Sequence, residues 1–316
     1  MKFLFISPRY SGGIGGHASM LADQLTNAGH DVTKMVTPHI PIKNLKNPSF
    51  AVFGAIKGII NQKNYDIVHA FNVPSAFAMH YSKGKKKVLS IHGMFSDQVE
   101  KLHSKTVSSI ASKTESKVLS WADVLTTDSK FTQKLYKEKL GLNFTYLPSA
   151  IDTKKLDEIP KVTKNEKQII YLGRNSYEKG IDILKKIESK LDGKVVYCTD
   201  LPWETAMTEL KKSSVLVVPS RMESLPTNIK EAFYFKIPVV GTDVGGIPEL
   251  IINNQTGLLV PTENHSKLTE RINEILSNLQ LSTSLGNESF NFICKNMTWE
   301  VVLPKYLSFY EDLLNN

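Results

Sequence analysis

The chain has 316 residues, too long for one small module and suited to two α/β domains of about 150 residues each. Hydrophobic residues make up 41% and charged ones 22%, the balance of a soluble globular protein, which excludes wholesale disorder. The net charge of +8 is lopsided: residues 1–150 hold 19 Lys+Arg against 9 Asp+Glu, and the remaining 166 hold 20 against 22. A one-sided positive field points to an anionic surface or ligand facing the first half, with membrane lipid and nucleic acid as the two classes to weigh.

The two cysteines, Cys198 and Cys294, stand 96 positions apart with no Cys/His spacing around them. This excludes a disulfide framework and a zinc knuckle and fits a reducing cytosol. No apolar run reaches the roughly 18 residues of a membrane span, and Phe3–Ile6, cut off by Ser7-Pro8, is too short for a signal-peptide core. Glycosylation triplets at Asn143, Asn254 and Asn296 read as chance matches.

In chain order, Lys2–Ser7 is a short apolar strand ended by Ser-Pro and the glycine cluster Gly12-Gly13-Ile14-Gly15-Gly16, read as a loop. A helical pattern follows, with Met20, Leu21, Gln24, Leu25 and Ala28 on one face and Gly29 as its stop. Strands are predicted at 31–36, 66–71, 88–92 and 124–128, separated by helical stretches. Lys83, Lys85, Lys86 and Lys87 are placed in one turn. Pro148 marks a boundary and 152–167 a polar linker, after which strands recur at 168–173, 195–198, 215–219, 238–242 and 258–260. The tail 299–314 spaces Val302, Leu303, Tyr306, Phe309, Tyr310 and Leu313 as an amphipathic helix in need of a partner surface. Repeated β-α-β spacing predicts an α/β fold of two doubly wound, Rossmann-like domains facing a cleft, with ligands at the strand C-terminal ends. The expected boundaries are 1–148, 149–297 and a tail, 298–316, that packs back on the first domain.

Two segments carry chemistry. In Pro219-Ser-Arg-Met-Glu223-Ser-Leu-Pro-Thr-Asn-Ile-Lys-Glu231, a buried strand runs into a helix that can begin near Pro226. Free N–H groups at a helix start attract anions. Glu231 lies where its carboxylate can reach the two hydroxyls of a ribose, and Glu223 sits on the loop at the strand end. A carboxylate beside a phosphate site argues for a sugar between them. In Tyr171-Leu-Gly173-Arg174-Asn-Ser-Tyr-Glu-Lys179-Gly180, two cations follow a strand end, a fork and a point charge suited to a diphosphate.

The order of the glycine loop, Gly173-Arg174-x4-Lys179-Gly180, Glu223-x7-Glu231 and the later Gly245-Gly246-Ile-Pro-Glu249 resembles the GT4 family of retaining glycosyltransferases with the GT-B fold. The resemblance spans essentially the whole chain and is strongest over 169–261. It implies that Glu223 touches the donor sugar, Glu231 the ribose, and Arg174 and Lys179 the diphosphate. It further implies that Gly13 approaches the donor through its backbone, that Leu225 and Thr227 contribute donor contacts, and that His92 lies near the transferred sugar. His69 and Asn72, also at a strand end, are possible acceptor-side contacts. The chain departs from the family pattern at Ser224-Leu-Pro-Thr, where Pro226 lacks an N–H and the Thr227 hydroxyl is the replacement. It departs again between Val195 and Val218, where a β-α unit is missing and Tyr197–Trp203 follows at once.

The implied reaction moves a hexose from a nucleotide-diphosphate sugar, UDP-linked before GDP-linked, with no metal and no cofactor. Fixed positive groups would stabilise the leaving diphosphate. The basic first half then suits a glycan or lipid-linked acceptor at an anionic membrane surface, with a cytoplasmic, peripheral location. The lysines at 101, 105, 113 and 117, opposed by Val107, Ile110, Ala111, Val118 and Trp121, and the apolar stretch 49–60, support it. Two rivals are a non-catalytic nucleotide-sugar-binding partner and a GT-B epimerase. A dehydrogenase is disfavoured because no acidic residue ends the second strand, and no aromatic-basic motif supports nucleic acid.

Overall fold

The computed structural model describes residues 1–8, 13–40, 42, 45–93 and 114–316. The chain divides into two compact units, Met1–Ser149 together with Val302–Asn316, and Ala150–Val301. Each is built on one wholly parallel sheet covered by helices, an α/β architecture in which strands buried on both faces need no polar alternation.

In the first unit the order is β2-β1-β3-β4-β5-β6. The strands are β1 (Lys2–Ile6), β2 (Asp31–Met35), β3 (Tyr65–Phe71), β4 (Gly84–Ser90), β5 (Val124–Thr127) and β6 (Thr145–Tyr146). Helix α1 (Gly13–Asn27) buries Leu21, Ala22 and Leu25, and α2 (Lys46–Ile60) lies on α3 (Val73–Tyr81). Helix α4 (Lys130–Leu140) starts at Ser129, whose hydroxyl accepts from Thr132 N at 3.2 Å, and stops at left-handed Gly141.

In the second unit the order is β11-β10-β9-β7-β8. The strands are β7 (Gln168–Leu172), β8 (Lys194–Cys198), β9 (Val215–Val218), β10 (Val239–Thr242) and β11 (Leu258–Val260). Its helices are α5 (Thr153–Asp157), α6 (Ile181–Ile187), α7 (Trp203–Lys212), α8 (Thr227–Tyr234), α9 (Ile247–Leu250), α10 (His265–Ser277) and α11 (Leu279–Asn296). The final helix, α12 (Trp299–Asn315), sends Tyr306 and Tyr310 into the core of the first unit. There Tyr306 Oη lies 3.0 Å from His17 Nε2, and Tyr310 Oη 2.7 Å from His69 Nδ1.

Three local expectations are corrected. Gly13 to Gly16 form the first turn of α1 rather than a loop. The lysines from 85 to 87 lie along β4, because Tyr65 pairs with Gly84 and extends the ladder past them; Lys85 meets Asp66 at 2.8 Å, and Lys87 Nζ donates to the His80 carbonyl at 2.6 Å. The stretch 152–167 is no free linker: it contains α5, and Leu156 and Ile159 are buried in the core of the second unit. Helix α8 begins at Thr227, near Pro226 as expected, with Pro226 as its cap in extended conformation. Of the basic-apolar stretch from 101 to 121, residues 101–113 lie outside the described residues; Val118 is buried in the first unit's core and Trp121 packs against it.

Candidate functional site

Doubly wound sheets bind ligands where the strand order reverses, because there two loops leave neighbouring strands in opposite directions. In the second unit that point lies between β7 and β9, which pair directly although β8 separates them in sequence. The β7 loop carries Gly173, Arg174 and Lys179; the β9 loop carries Ser220 through Glu223.

Glycine makes the two loops touch. Gly180 has φ +66°, and an added Cβ would overlap the Pro219 carbonyl oxygen. At Gly245, with φ +60°, a Cβ would overlap the Glu223 carbonyl oxygen, so the loop after β10 presses on the same segment from the other side. Backbone bonds from Arg221 N to Glu178 O at 2.9 Å and from Met222 N to the same oxygen at 3.3 Å close the join.

This packing brings Lys179 Nζ onto Glu223 Oε1, which also accepts from Ser220 Oγ at 3.2 Å. The Glu223 side chain is only 8% exposed and that of Lys179 24%, so the cation forms the open side of the pair. Arg174 is 70% exposed and pairs with Glu178 at 3.0 Å. The start of α8 is tied to the end of β7 by Asn228 Nδ2, which donates to Leu172 O at 2.7 Å; among the described residues, Asn228 Oδ1 is buried without a hydrogen-bond partner. One turn into α8, half-buried Glu231 accepts from the Trp203 indole N–H at 2.8 Å. Burial pushes the Glu231 carboxyl up to about 7, against the opposing pull of the indole N–H and of the neighbouring Lys230 charge.

In the first unit a second polar centre stands at the C-terminal ends of β4 and β5. Ser90 pairs with Thr126, so residues two further along, His92 and Asp128, stand opposite each other. His92 Nδ1 lies 2.9 Å from Asp128 Oδ1, and Ser149 Oγ donates to Asp128 Oδ2 at 2.7 Å. Among the described residues, His92 Nε2 is buried and has no hydrogen-bond partner. Below it, His69 Nε2 lies 2.7 Å from Ser90 Oγ, which meets Thr126 Oγ1 at 2.6 Å. Burial holds the His69 ring well below its ordinary value and therefore neutral.

The description "Glycosyltransferase Family 4" matches residues 11–155, and "Glycosyl transferases group 1" matches 188–292. The chain belongs to the family 4 glycosyltransferases. A 104-residue stretch, 33% of this chain and 29% of the relative, is 36% identical to an uncharacterized glycosyltransferase of Methanocaldococcus jannaschii. Sucrose-phosphate synthase from Thermosynechococcus elongatus matches with a TM-score of 0.79 at 18% identity, over 99% of both chains. HepE from Anabaena, in complex with UDP-glucose, matches with a TM-score of 0.74 at 13% identity, over 99% of this chain and 100% of that one. These likenesses show the GT-B fold.

Within the second unit of this glycosyltransferase, Glu223 and Lys179 are in direct contact, and Glu231 sits on the helix that follows their loop. Arg174 shares the loop but points to Glu178. Thr227 is exposed at the helix start, whereas the Leu225 side chain is in the core and leaves only its backbone for a ligand. In the first unit, Gly13 opens α1 with φ +40°, and among the described residues nothing lies within 4 Å of its Cβ position. His69 is fully buried and bonded on both ring nitrogens, which removes it from the acceptor-side contacts; Asn72 stays half-exposed ahead of α3.

Three residues escaped the sequence. Trp203 is distant in sequence from Glu231, and its indole gave no signal. Asp128 could have been found by noting that Ser-Ile-His92 and Thr-Thr-Asp128 end adjacent strands at equal positions. Arg221 sits inside the Pro-Ser-x-x-Glu motif, yet its work is elsewhere: it forks onto Asp182 at 2.7 and 2.8 Å, reaches Glu263, donates to Tyr177 O at 2.7 Å and stacks 4.0 Å from the Tyr177 ring. This clamp holds the segment that delivers Lys179.

Proposed function

We propose that the protein transfers a hexose from a nucleotide-diphosphate sugar, UDP-linked in preference to GDP-linked, with retention and without a metal. The acceptor is a glycan or a lipid-linked molecule presented at an anionic membrane surface on the cytoplasmic side, where the protein is peripheral. The observation that carries this reading is the Lys179–Glu223 pair at the β7/β9 reversal, with Glu231 on the helix that follows. HepE, whose complex holds UDP-glucose, shares the fold and supports the donor class.

The chemistry follows from the charges. As the anomeric bond breaks, the sugar becomes oxocarbenium-like and negative charge gathers on the leaving diphosphate. Lys179 and Arg174 and the N–H groups opening α8 are positive groups fixed before the reaction, so little reorganisation is required of them. Glu223 accepts from hydroxyls of the transferred sugar, and Glu231, once ionised, accepts from the ribose. The leaving phosphate oxygen takes the acceptor proton on the same face, which preserves the anomeric configuration. In the first unit, His92 serves the transferred sugar and Asp128 orients its ring.

A thermal-shift series with UDP-glucose, GDP-mannose and ADP-glucose tests the donor, since a ligand bound only by the folded state raises Tm. UDP-glucose should give the largest rise, and Glu231→Ala should remove it. No rise with any of the three would overturn the reading.

A further inference from the structure

Helix α2 and the segment before it carry an apolar surface that the donor site does not use. Among the described residues, nine of the sixteen exposed large hydrophobic residues fall between Val36 and Ile60. On the helix their arrangement follows from a turn of about 100° per residue. Phe50, Gly54 and Gly58 fall on one side; Val52, Phe53, Ile56, Ile59 and Ile60 fall on the other.

The first side is closed. A Cβ added at Gly58 would stand 2.6 Å from the Ala78 carbonyl oxygen, and one at Gly54 would stand 3.2 Å from Ala78 Cβ, so α2 lies directly on the backbone of α3. The second side is open: Val52 is 58% exposed and Ile60 71%. A contiguous apolar stripe of this kind marks an interaction surface.

Charge identifies the partner. Residues 32–96 contain nine lysines and one acidic residue, Asp66, which Lys85 already occupies at 2.8 Å. No acidic residue lies between Asp31 and Asp66, the stretch that holds the whole apolar face. Lys57 borders the face, and its Nζ donates to the Val36 carbonyl, tying the lead-in segment to the helix. An apolar stripe on a helix that carries Lys46 and Lys57 and no acidic residue matches a lipid layer with anionic headgroups.

We propose that α2 docks on an anionic lipid bilayer, with the Ile56, Ile59 and Ile60 side chains below the headgroups and Lys46, Lys57 and Lys63 among them. The inference rests on the reading that the acceptor is met at an anionic surface, and it names the element that meets that surface.

Sedimentation of the full chain with phosphatidylcholine vesicles, with and without phosphatidylglycerol, tests it. Binding should require phosphatidylglycerol and weaken with salt. The double substitution Ile56→Ser and Ile60→Ser should lower binding by about tenfold or more while leaving Tm unchanged. Separately, Ile59→Trp should give fluorescence that shifts to the blue on the mixed vesicles only. Unchanged binding of the double variant, or no blue shift, overturns docking through α2. A wild-type dimer abolished by the double substitution, without vesicle binding, also overturns it and assigns the face to a second copy. Wild-type protein that binds no vesicle defeats the membrane reading itself, whereas wild-type binding that the double substitution leaves unchanged defeats docking through α2 alone, so the two failures are seen apart.

Discussion

Lys179 and Glu223, 44 residues apart in sequence, meet where the loops leaving β7 and β9 are pressed together. A cation suited to the leaving diphosphate and a carboxylate suited to sugar hydroxyls thus hold each other in place before any ligand arrives. Lys179→Ala and Glu223→Gln should each lower kcat by roughly 10²-fold. The double variant should fall far short of the product of the two losses, because each single change already disables the pair. Strictly multiplicative losses in steady-state kinetics would show that the two groups act separately.

Glu231 makes folding and binding pull in opposite directions. Its carboxyl is raised from 4.5 to about 7 by burial. An acid with a higher value in the folded state binds more protons there, so its ionisation lowers stability as pH rises from 4.5 to about 7, and the whole loss is present above that. The shift corresponds to about 3 kcal/mol. Glu231→Gln removes the charge and keeps an acceptor for Trp203. It should raise the unfolding midpoint at pH values above 7, leave it nearly unchanged below 4.5, and abolish the rise produced by UDP-glucose. Equal midpoints in the alkaline range would refute the burial penalty.

Asp128 is expected to act through His92. His92→Ala should lower kcat by about 10²-fold, and Asp128→Asn by roughly tenfold, with the thermal shift given by UDP alone intact in both because the proposed diphosphate and ribose residues, Arg174, Lys179 and Glu231, belong to the other unit. Wild-type turnover in His92→Ala would remove this pair from the reaction.

Gly180 and Gly141 form a matched comparison. Their φ values, +66° and +68°, are nearly equal, but Gly141 has nothing within 4 Å of its Cβ position whereas Gly180 meets Pro219. Gly141→Ala should cost about 1–2 kcal/mol of backbone strain. Gly180→Ala should cost clearly more in urea unfolding and should also raise the donor KM, since the loop bearing Lys179 must move. Equal costs would mean that the loop contact contributes nothing.

Much of the fold was legible along the chain. Buried runs such as Val215–Val218 and Phe3–Ile6 announce parallel strands whatever their neighbours, and glycine, proline and serine mark where they stop. The lysines of β4 were misplaced because a strand's extent depends on its partner, here Tyr65 opposite Gly84, and no property of a lysine run encodes that pairing.

The site divides along the same line. By itself the sequence determined the two glutamates, the Arg-x4-Lys loop, the glycines between them and the basic first half, because each is a short pattern or a count whose chemistry is local. Only the tertiary structure decided that Lys179 rests on Glu223, that Trp203 reaches Glu231, that Asp128 faces His92 and that α2 turns its isoleucines outward. Those relations are made by strand register and by loops meeting across a sheet. They join residues far apart in the chain, where no local spacing carries the information.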